Sequence, residues 1–208
     1  MASFLVRREP VVRLLDGTGI EPSKLPGGRT MCIIAAVQYI DNDLGPYDEV
    51  AMCFPMSKGD AQQSGAFIHQ LPVNGAFTLA AGRGIWGFPK WMADIDLTFG
   101  PKGMHCRLSE DGRLVLDLTV KPRRLPVPSK PLETSAYAHI DGVTRRTAFT
   151  SRATGVKGGP FGARLEVGTD HPMALELRSL GLPKRPAMSS IIGNMAATFG
   201  EATQIANR

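Results

Sequence analysis

Two alternating runs, Met104–Leu108 and Arg113–Val120, close on Glu110-Asp111-Gly112, and no other feature restricts the fold as tightly. Asp-Gly supplies the two positive-φ positions of a tight hairpin turn, and the alternation gives each flanking run one apolar and one polar face. These segments must be antiparallel neighbours. Much of the chain keeps the same period. Thr30–Ile40 and Glu49–Pro55 are apolar, partly β-branched runs joined by the turn formers Asp41-Asn42-Asp43-Leu44-Gly45-Pro46-Tyr47, and they read as a second hairpin-like pair. Further strands are expected over Ser3–Arg8, Ala66–Val73, Ala136–Ile140, Arg145–Arg152 and Gly162–Val167, with a last apolar run over Ser189–Thr198. In Trp91–Phe99 the alternation is strict, so Trp91, Ala93, Ile95, Leu97 and Phe99 share one face, and Lys90, Met92, Asp94 and Asp96 the other. Helical signals are short: Pro10–Leu15, stopped by Gly17 and Gly19, a helix or tight turn over Ala76–Ile85, and an amphipathic stretch over His171–Leu180. Strands that do not alternate with long helices indicate a mainly antiparallel β fold of the α+β kind.

Four prolines between Lys121 and Pro131 mark an irregular crossing segment. The expectation is a single domain over residues 1–208, with any division into two lobes near 121–134. No apolar run approaches the roughly 20 residues needed to span a membrane, and the N-terminus lacks the apolar core and cleavage site of a secretory signal. Cys32, Cys53 and Cys106 are odd in number and far apart, which favours buried thiols in a reducing, cytoplasmic setting over a disulfide framework. No cysteine or histidine pair has zinc-finger spacing, and His69, His105, His139 and His171 form no helical His-Glu-x-x-His pair, so no metal is expected. The net charge of +5 comes partly from Lys121, Arg123, Arg124, Lys130, Arg145, Arg146, Arg152, Lys157 and Arg164. These lack the interleaved aromatics, helix-turn-helix or RNP-like pattern of a nucleic-acid binder. Their field suits a carboxylate substrate instead.

Gly82-Arg83-Gly84-Ile85-Trp86-Gly87 has Gly-x-Gly-x-x-Gly spacing, but Pro89 blocks a following helix and the next residues have period two, so dinucleotide binding is excluded. Gly155 to Gly162 lacks the ending of a phosphate loop and reads as a surface turn, and Gln63-Ser64-Gly65 lacks the pattern of a nucleophile elbow. Lys90, between Pro89 and the bulky Trp91 and Met92, is more informative. A lysine in water, with a pKa of about 10.4, is neutral in roughly one molecule in two thousand at neutral pH, whereas one removed from water titrates three or more units lower. A neutral amine attacks carbonyls. Periodicity alone places Lys90 on a wet face with Asp94, two residues along, as its salt-bridge partner. Glu49 alone reads as an exposed acid at a strand end and His69 as a hydrogen-bonded strand histidine. Brought near Lys90, Glu49 could move a proton or hold a cation.

Leu44-Gly45-Pro46-Tyr47-Asp48-Glu49 resembles the Gly-x-Tyr-x-Glu turn of the acetoacetate decarboxylase family, and Ala81-Gly82-Arg83-Gly84-Ile85-Trp86-Gly87-Phe88-Pro89-Lys90 resembles its Gly-Arg-Glu…Pro-Lys-Lys signature. Order and separation also fit, and a weaker likeness extends from Ser3 to the end. The resemblance implies a closed, barrel-like sheet with a few short helices, no cofactor, and association into a homo-oligomer. It also implies a lyase that forms a Schiff base with a small β-keto or α-keto acid, for decarboxylation or for aldol or dehydration chemistry. Residue by residue, Lys90 matches the Schiff-base lysine, Glu49 a site carboxylate and Arg83 the signature arginine. Trp86, Phe88 and Met92 are the expected apolar substrate-binding walls, with His69 a further candidate.

The sequence also departs from the family pattern. Gly84 stands where the family usually has glutamate, and Trp91 where the decarboxylases have a second lysine. A family arginine near the N-terminus has no clear match, and Thr30–Tyr39 holds no second carboxylate. The departures point away from acetoacetate itself. They leave desolvation to lower the Lys90 pKa, a shift of about three units being worth roughly 4 kcal/mol. The alternative reading is a non-catalytic, ligand-binding or regulatory member of the same scaffold.

Overall fold

In the computed structural model, residues 1–56, 65–121, 126 and 130–205 are described. The Gln63-Ser64 dipeptide, most of the proline-rich crossing segment and two of its basic residues, Arg123 and Arg124, lie outside them.

The hairpin signals fold as expected. β7 (Gly103–Glu110) and β8 (Arg113–Val120) are antiparallel, and Asp111 and Gly112 take φ of 49° and 74°, as a type I′ turn requires. β6 (Asp94–Gly100) and β12 (Ala163–Val167) complete a four-stranded sheet in the order β12-β8-β7-β6. The larger sheet starts from β1 (Ala2–Arg7), β2 (Arg29–Tyr39), β3 (Tyr47–Pro55) and β4 (Gly65–Val73). It continues with β5 (Lys90–Met92), β9 (Leu132–Ile140), β10 (Val143–Thr154), β11 (Lys157–Gly159), β13 (Met188–Ile191) and β14 (Asn194–Gln204). Its order is β11-β13-β1-β2-β3-β4-β9-β10-β14, with β5 also beside β4. Two strand ends terminate that path, so the closed, barrel-like sheet is not found among the described residues. The Gly155–Gly162 stretch is likewise more than a turn, since it carries β11.

One apolar cluster fills the space between the sheets. Phe4, Ile34, Met52, Phe54, Phe67 and Tyr137 enter it from the large sheet, and Leu97, Met104, Cys106, Leu108, Leu116 and Leu118 from the small one. The alternating segment expected as one strand over Trp91–Phe99 breaks at Ala93, whose N–H donates to the Val73 carbonyl at 2.9 Å. β5 stays in the large sheet and β6 joins the small one. Trp91, Ala93, Ile95 and Leu97 keep a common inward face, but Phe99 is exposed.

Of the helices α1 (Arg8–Leu14), α2 (Ala76–Ala81) and α3 (Pro172–Ser179), the last is pinned by polar contacts. The β3–β4 register shifts after Met52, which pairs with Gln70 while Cys53 pairs with Ile68. The extra residue in β4 is a bulge that turns His69 and Gln70 toward the same side. There His69 Nε2 lies 3.1 Å from Glu176 Oε2, the Gln70 amide donates to the same oxygen, and Trp91 Nε1 donates to Gln70 Oε1. Among the described residues no helix is long and apolar enough to cross a membrane.

Burial by itself would raise the Glu176 carboxyl, but His69 and Gln70 outweigh it and hold the group below its ordinary 4.5. A depressed carboxylate contributes stability that is complete above its unfolded pKa and is lost as pH falls through the folded value. Thermal melts on both sides of pH 4.5 should therefore show wild type more stable than Glu176→Gln above that pH, with the gap closing below it.

Candidate active site

α2 runs without interruption into a π-helical turn, Gly82–Trp86, a wide turn that recurs at functional sites. Gly87, with φ of 67°, ends it, the Gly87 and Phe88 N–H groups donating to the carbonyls of Arg83 and Gly82. This fold-back lays the Lys90 stem across Gly82. A Cβ on Gly82 would stand 2.6 Å from Lys90 Cδ and 2.7 Å from Cε. Gly82 has helical φ of −62°, so glycine is needed here for space and not for its backbone freedom.

Lys90 pairs with Leu71 in the parallel β4–β5 ladder, and Glu49 with Val73 across β3–β4. The two residues therefore flank β4 on one face of the sheet. Their backbones are roughly two strand spacings, about 10 Å, apart, a span that the lysine stem closes. Lys90 Nζ lies 2.9 Å from Glu49 Oε2 and donates to Thr78 Oγ1 of α2 at 2.7 Å. It stands 4.8 Å from the centroid of the Tyr47 ring. Tyr39 donates to the other Glu49 oxygen at 3.3 Å and stacks on Tyr47 with centroids 4.4 Å apart. Lys90 is 4% exposed and Glu49 6%.

Burial raises the Glu49 carboxyl above its usual range, although the charge and hydrogen bond of Lys90 and the Tyr39 hydroxyl act against this. Burial and the Glu49 charge also push Tyr47 up to about 12 and raise Tyr39 further. Both phenols thus stay protonated as neutral donors at neutral pH. The arrangement can pass a proton between an amine and a carboxyl in a setting largely closed to water. Among the described residues no three His, Cys, Asp or Glu side chains gather at metal-binding range.

The other expected site residues divide. Phe88 is buried with Leu71, Ala136 and Ala138 in a second apolar cluster, with Trp86 and Phe199 against it. Trp86 stacks on Phe88 and donates its Nε1 to the Gly200 carbonyl. Arg83 is exposed and donates to the Lys90 carbonyl at 3.4 Å, so it touches the lysine backbone and not the amine. Met92, 43% exposed, borders an open cleft with Asn74, Asp94 and Arg107 and does not wall the amine. His69 lies on the opposite face of the sheet, beside the Phe54 and Phe67 rings and bound to Glu176, and is removed from the substrate-binding set. Asp94 is not the partner of Lys90; Glu49 is, because the break at Ala93 carries Asp94 into the other sheet. Trp91 points away from Lys90, its ring stacked on His171, so the side chain at position 91 does not act on the amine by contact.

Sequence reading missed Thr78, Tyr39, Tyr47 and Gly82. Tyr47 stood inside the turn motif. Tyr39 could have been found by counting the β2–β3 register, in which it faces Tyr47. Thr78 carried no signal beyond being a polar residue in an apolar helix.

The family model described as acetoacetate decarboxylase matches residues 1–201, and the chain belongs to that family. The fold is similar to a crystal structure of acetoacetate decarboxylase from Legionella pneumophila, at 20% identity and a TM-score of 0.71, covering 99% of this chain and 84% of that one. It is also similar to the enduracididine biosynthesis enzyme MppR complexed with pyruvate (17% identity, TM-score 0.67, 99% and 87% covered). An acetoacetate decarboxylase-like enzyme from Sphingomonas wittichii RW1 gives 16% identity, a TM-score of 0.61 and coverage of 98% and 89%. At these identities the likeness establishes the fold. No curated protein matches the sequence significantly.

Gly82→Ala tests the packing on Lys90. The helical backbone accepts alanine, which is favoured there by about 0.5–1 kcal/mol, but the new methyl overlaps the Lys90 stem and strains a buried ion pair, so the melting temperature should fall. Reactivity of the Lys90 amine toward a carbonyl probe, read by reductive trapping, should fall because the new methyl displaces the stem.

Proposed function

We propose that the chain is a lysine Schiff-base enzyme acting on a small β-keto or α-keto acid, with Lys90 as nucleophile, Glu49 as proton carrier and Arg83 as a positioning residue. One observation carries this reading: a buried lysine amine 2.9 Å from a buried carboxylate whose own proton affinity burial has raised. A fully charged pair in such a place is costly to desolvate, and removing either partner leaves the other charge unpaired. Transfer of the ammonium proton to Glu49 gives a neutral pair and an amine lone pair. Family membership and the pyruvate named with MppR support a small oxo acid as substrate.

For a β-keto acid, the Lys90 amine adds to the ketone carbon and water leaves, giving an iminium. The bond to the carboxylate carbon breaks, carbon dioxide departs, and the electron pair moves through the new carbon–carbon double bond to nitrogen, giving an enamine. Protonation at carbon and hydrolysis release the ketone and restore Lys90. Glu49 takes the proton when the amine is freed and returns one during turnover. Thr78 orients Nζ. The nearby cleft of about 400 Å³, bordered by Tyr39, Tyr47, Asp48 and Asn74, does not include Lys90, so the Tyr47 ring must turn aside to admit a carbonyl from that side. That closure is also the observation favouring a second reading, a binding or regulatory member without turnover.

We read residues 1–208 as one domain, since both sheets supply one apolar cluster. The family also supports a homo-oligomer, and β14, which ends the large sheet with most of its side chains exposed, is the element such a contact would cover.

Sodium borohydride trapping with acetoacetate, pyruvate and longer oxo acids, read by intact mass, should yield an adduct on Lys90 that Lys90→Ala abolishes. No adduct with any member of the panel sinks the enzyme reading and favours the binder. A pH profile tests Glu49 separately. Below its pKa Glu49 is already protonated and cannot accept the amine proton, so kcat/KM should fall on the acid side through a pH above 4.5, the ordinary value. Glu49→Gln should remove that limb and slow the reaction about 10²–10⁴-fold.

A further inference from the structure

Holding an oxo acid needs a cation for its carboxylate, and the groups at the amine have none to spare. Lys90 is paired with Glu49, and Arg83 turns back to a carbonyl. A different arginine shares the face. Arg145 on β10 stands opposite Ala138 of β9, which belongs to the apolar cluster of Leu71 and Phe88. Directly opposed residues of an antiparallel pair project to one side, so Arg145 lies on the side of the sheet that carries Leu71, Lys90 and Glu49.

Its side chain rests on Gly87. A Cβ at that glycine would be 2.7 Å from Arg145 Nη1, 2.8 Å from Cδ and 3.2 Å from Cζ. The turn that delivers Lys90 thus makes room for this guanidinium by using a residue without a side chain. Arg145 is half-buried, and among the described residues no carboxylate pairs with it. Two positions along the same face, Thr147 stands opposite Ala136, a further member of the same cluster. Thr147 is 1% exposed, and its Oγ1 is a buried side-chain polar atom without a hydrogen-bond partner among the described residues. A guanidinium without an acid and a hydroxyl without an acceptor, neighbours on one strand, are what a single carboxylate satisfies, one oxygen to each.

We infer that Arg145 and Thr147 form the carboxylate-binding subsite for a monocarboxylic oxo acid whose carbonyl is presented to Lys90, an assignment that rests on the Schiff-base reading for its substrate. Arg145 sets the preference for acids over neutral carbonyl compounds, and Thr147 sets the orientation of the bound carboxylate.

Ligand-observed NMR titration with 3-hydroxybutyrate, which has the carboxylate but no ketone, reads the subsite independently of Schiff-base formation at Lys90. Its methyl ester removes the charge. Wild type should bind the acid in preference to the ester. Arg145→Met should weaken acid binding about 10–100-fold, the size of a lost charge-assisted hydrogen bond, and leave the ester unchanged. Arg145→Lys, which keeps the charge without the planar fork, should lose less, and the isosteric Thr147→Val a few-fold. The acid-to-ester ratio is internal to each protein, so partial misfolding of a variant does not mimic the effect. Equal acid binding by wild type and Arg145→Met, or no preference for acid over ester in wild type, overturns the subsite. Borohydride trapping with acetoacetate on the same proteins separates the two ideas. Acid binding without any adduct sinks the Schiff-base reading and supports the subsite, whereas trapping below saturation that Arg145→Met leaves unchanged overturns the subsite.

Discussion

Two ionisable groups removed from water and 2.9 Å apart set the terms for the structure around them. A buried ammonium or a buried carboxylate alone is very costly, and a buried pair is tolerable only when its remaining donors and acceptors are also met. The surroundings of Lys90 and Glu49 meet that demand closely. Thr78 and Tyr39 each take one of the remaining valences, and the Tyr47 ring covers the amine with the negative face of its π system. Such a site does little for net stability compared with an apolar core, because both charges give up their hydration to form it.

The strands determine that the pair forms at all. β4 lies between Glu49 and Lys90, and the bulge at His69 changes its parity. Ile68 and Leu71 consequently share a face, although three positions separate them. Without that extra residue Leu71 would turn toward the main core, and the register that presents Lys90 beside it would be lost. The same bulge sends both His69 and Gln70 toward α3, where they bind Glu176. A single inserted residue thus anchors a helix on one side of the sheet and aligns the buried Lys90 amine on the other. Position 91 illustrates the consequence, since a side chain adjacent to Lys90 in sequence lies on the opposite face in space.

Much of the β architecture was readable from local chemistry. The Asp111-Gly112 turn and the alternation around it define β7 and β8, and the turn formers at 41–47 join β2 and β3. Asp141-Gly142 is a second turn of the same type, with φ of 52° and 75°, joining β9 and β10. Its Asp-Gly signal lies between runs that alternate less cleanly than those around Asp111-Gly112. The break at Ala93 had no such signal, because Trp91–Phe99 keeps one period across two sheets. Lys90 and Glu49 were legible as a pair through the family motifs and not through periodicity, which places Lys90 with Asp94. His69 and Met92 were misplaced for related reasons: a bulge and a change of sheet both alter which way a side chain points, and neither leaves a compositional trace.

Local sequence by itself determined the tight turns, the alternating strands, the short helices and the presence of a lysine held between proline and aromatic residues. Those properties depend on backbone conformations and side-chain periods that a few neighbouring residues impose. Tertiary structure alone decided that the large sheet, among the described residues, ends in two edges instead of closing, that Asp94 is carried into the other sheet away from the amine, and that Thr78, Tyr39 and Arg145 lie on the amine's side of the sheet. Each of those outcomes depends on register and strand order. These are set by the packing of residues far apart in the chain, where a one-residue shift reverses every side chain that follows.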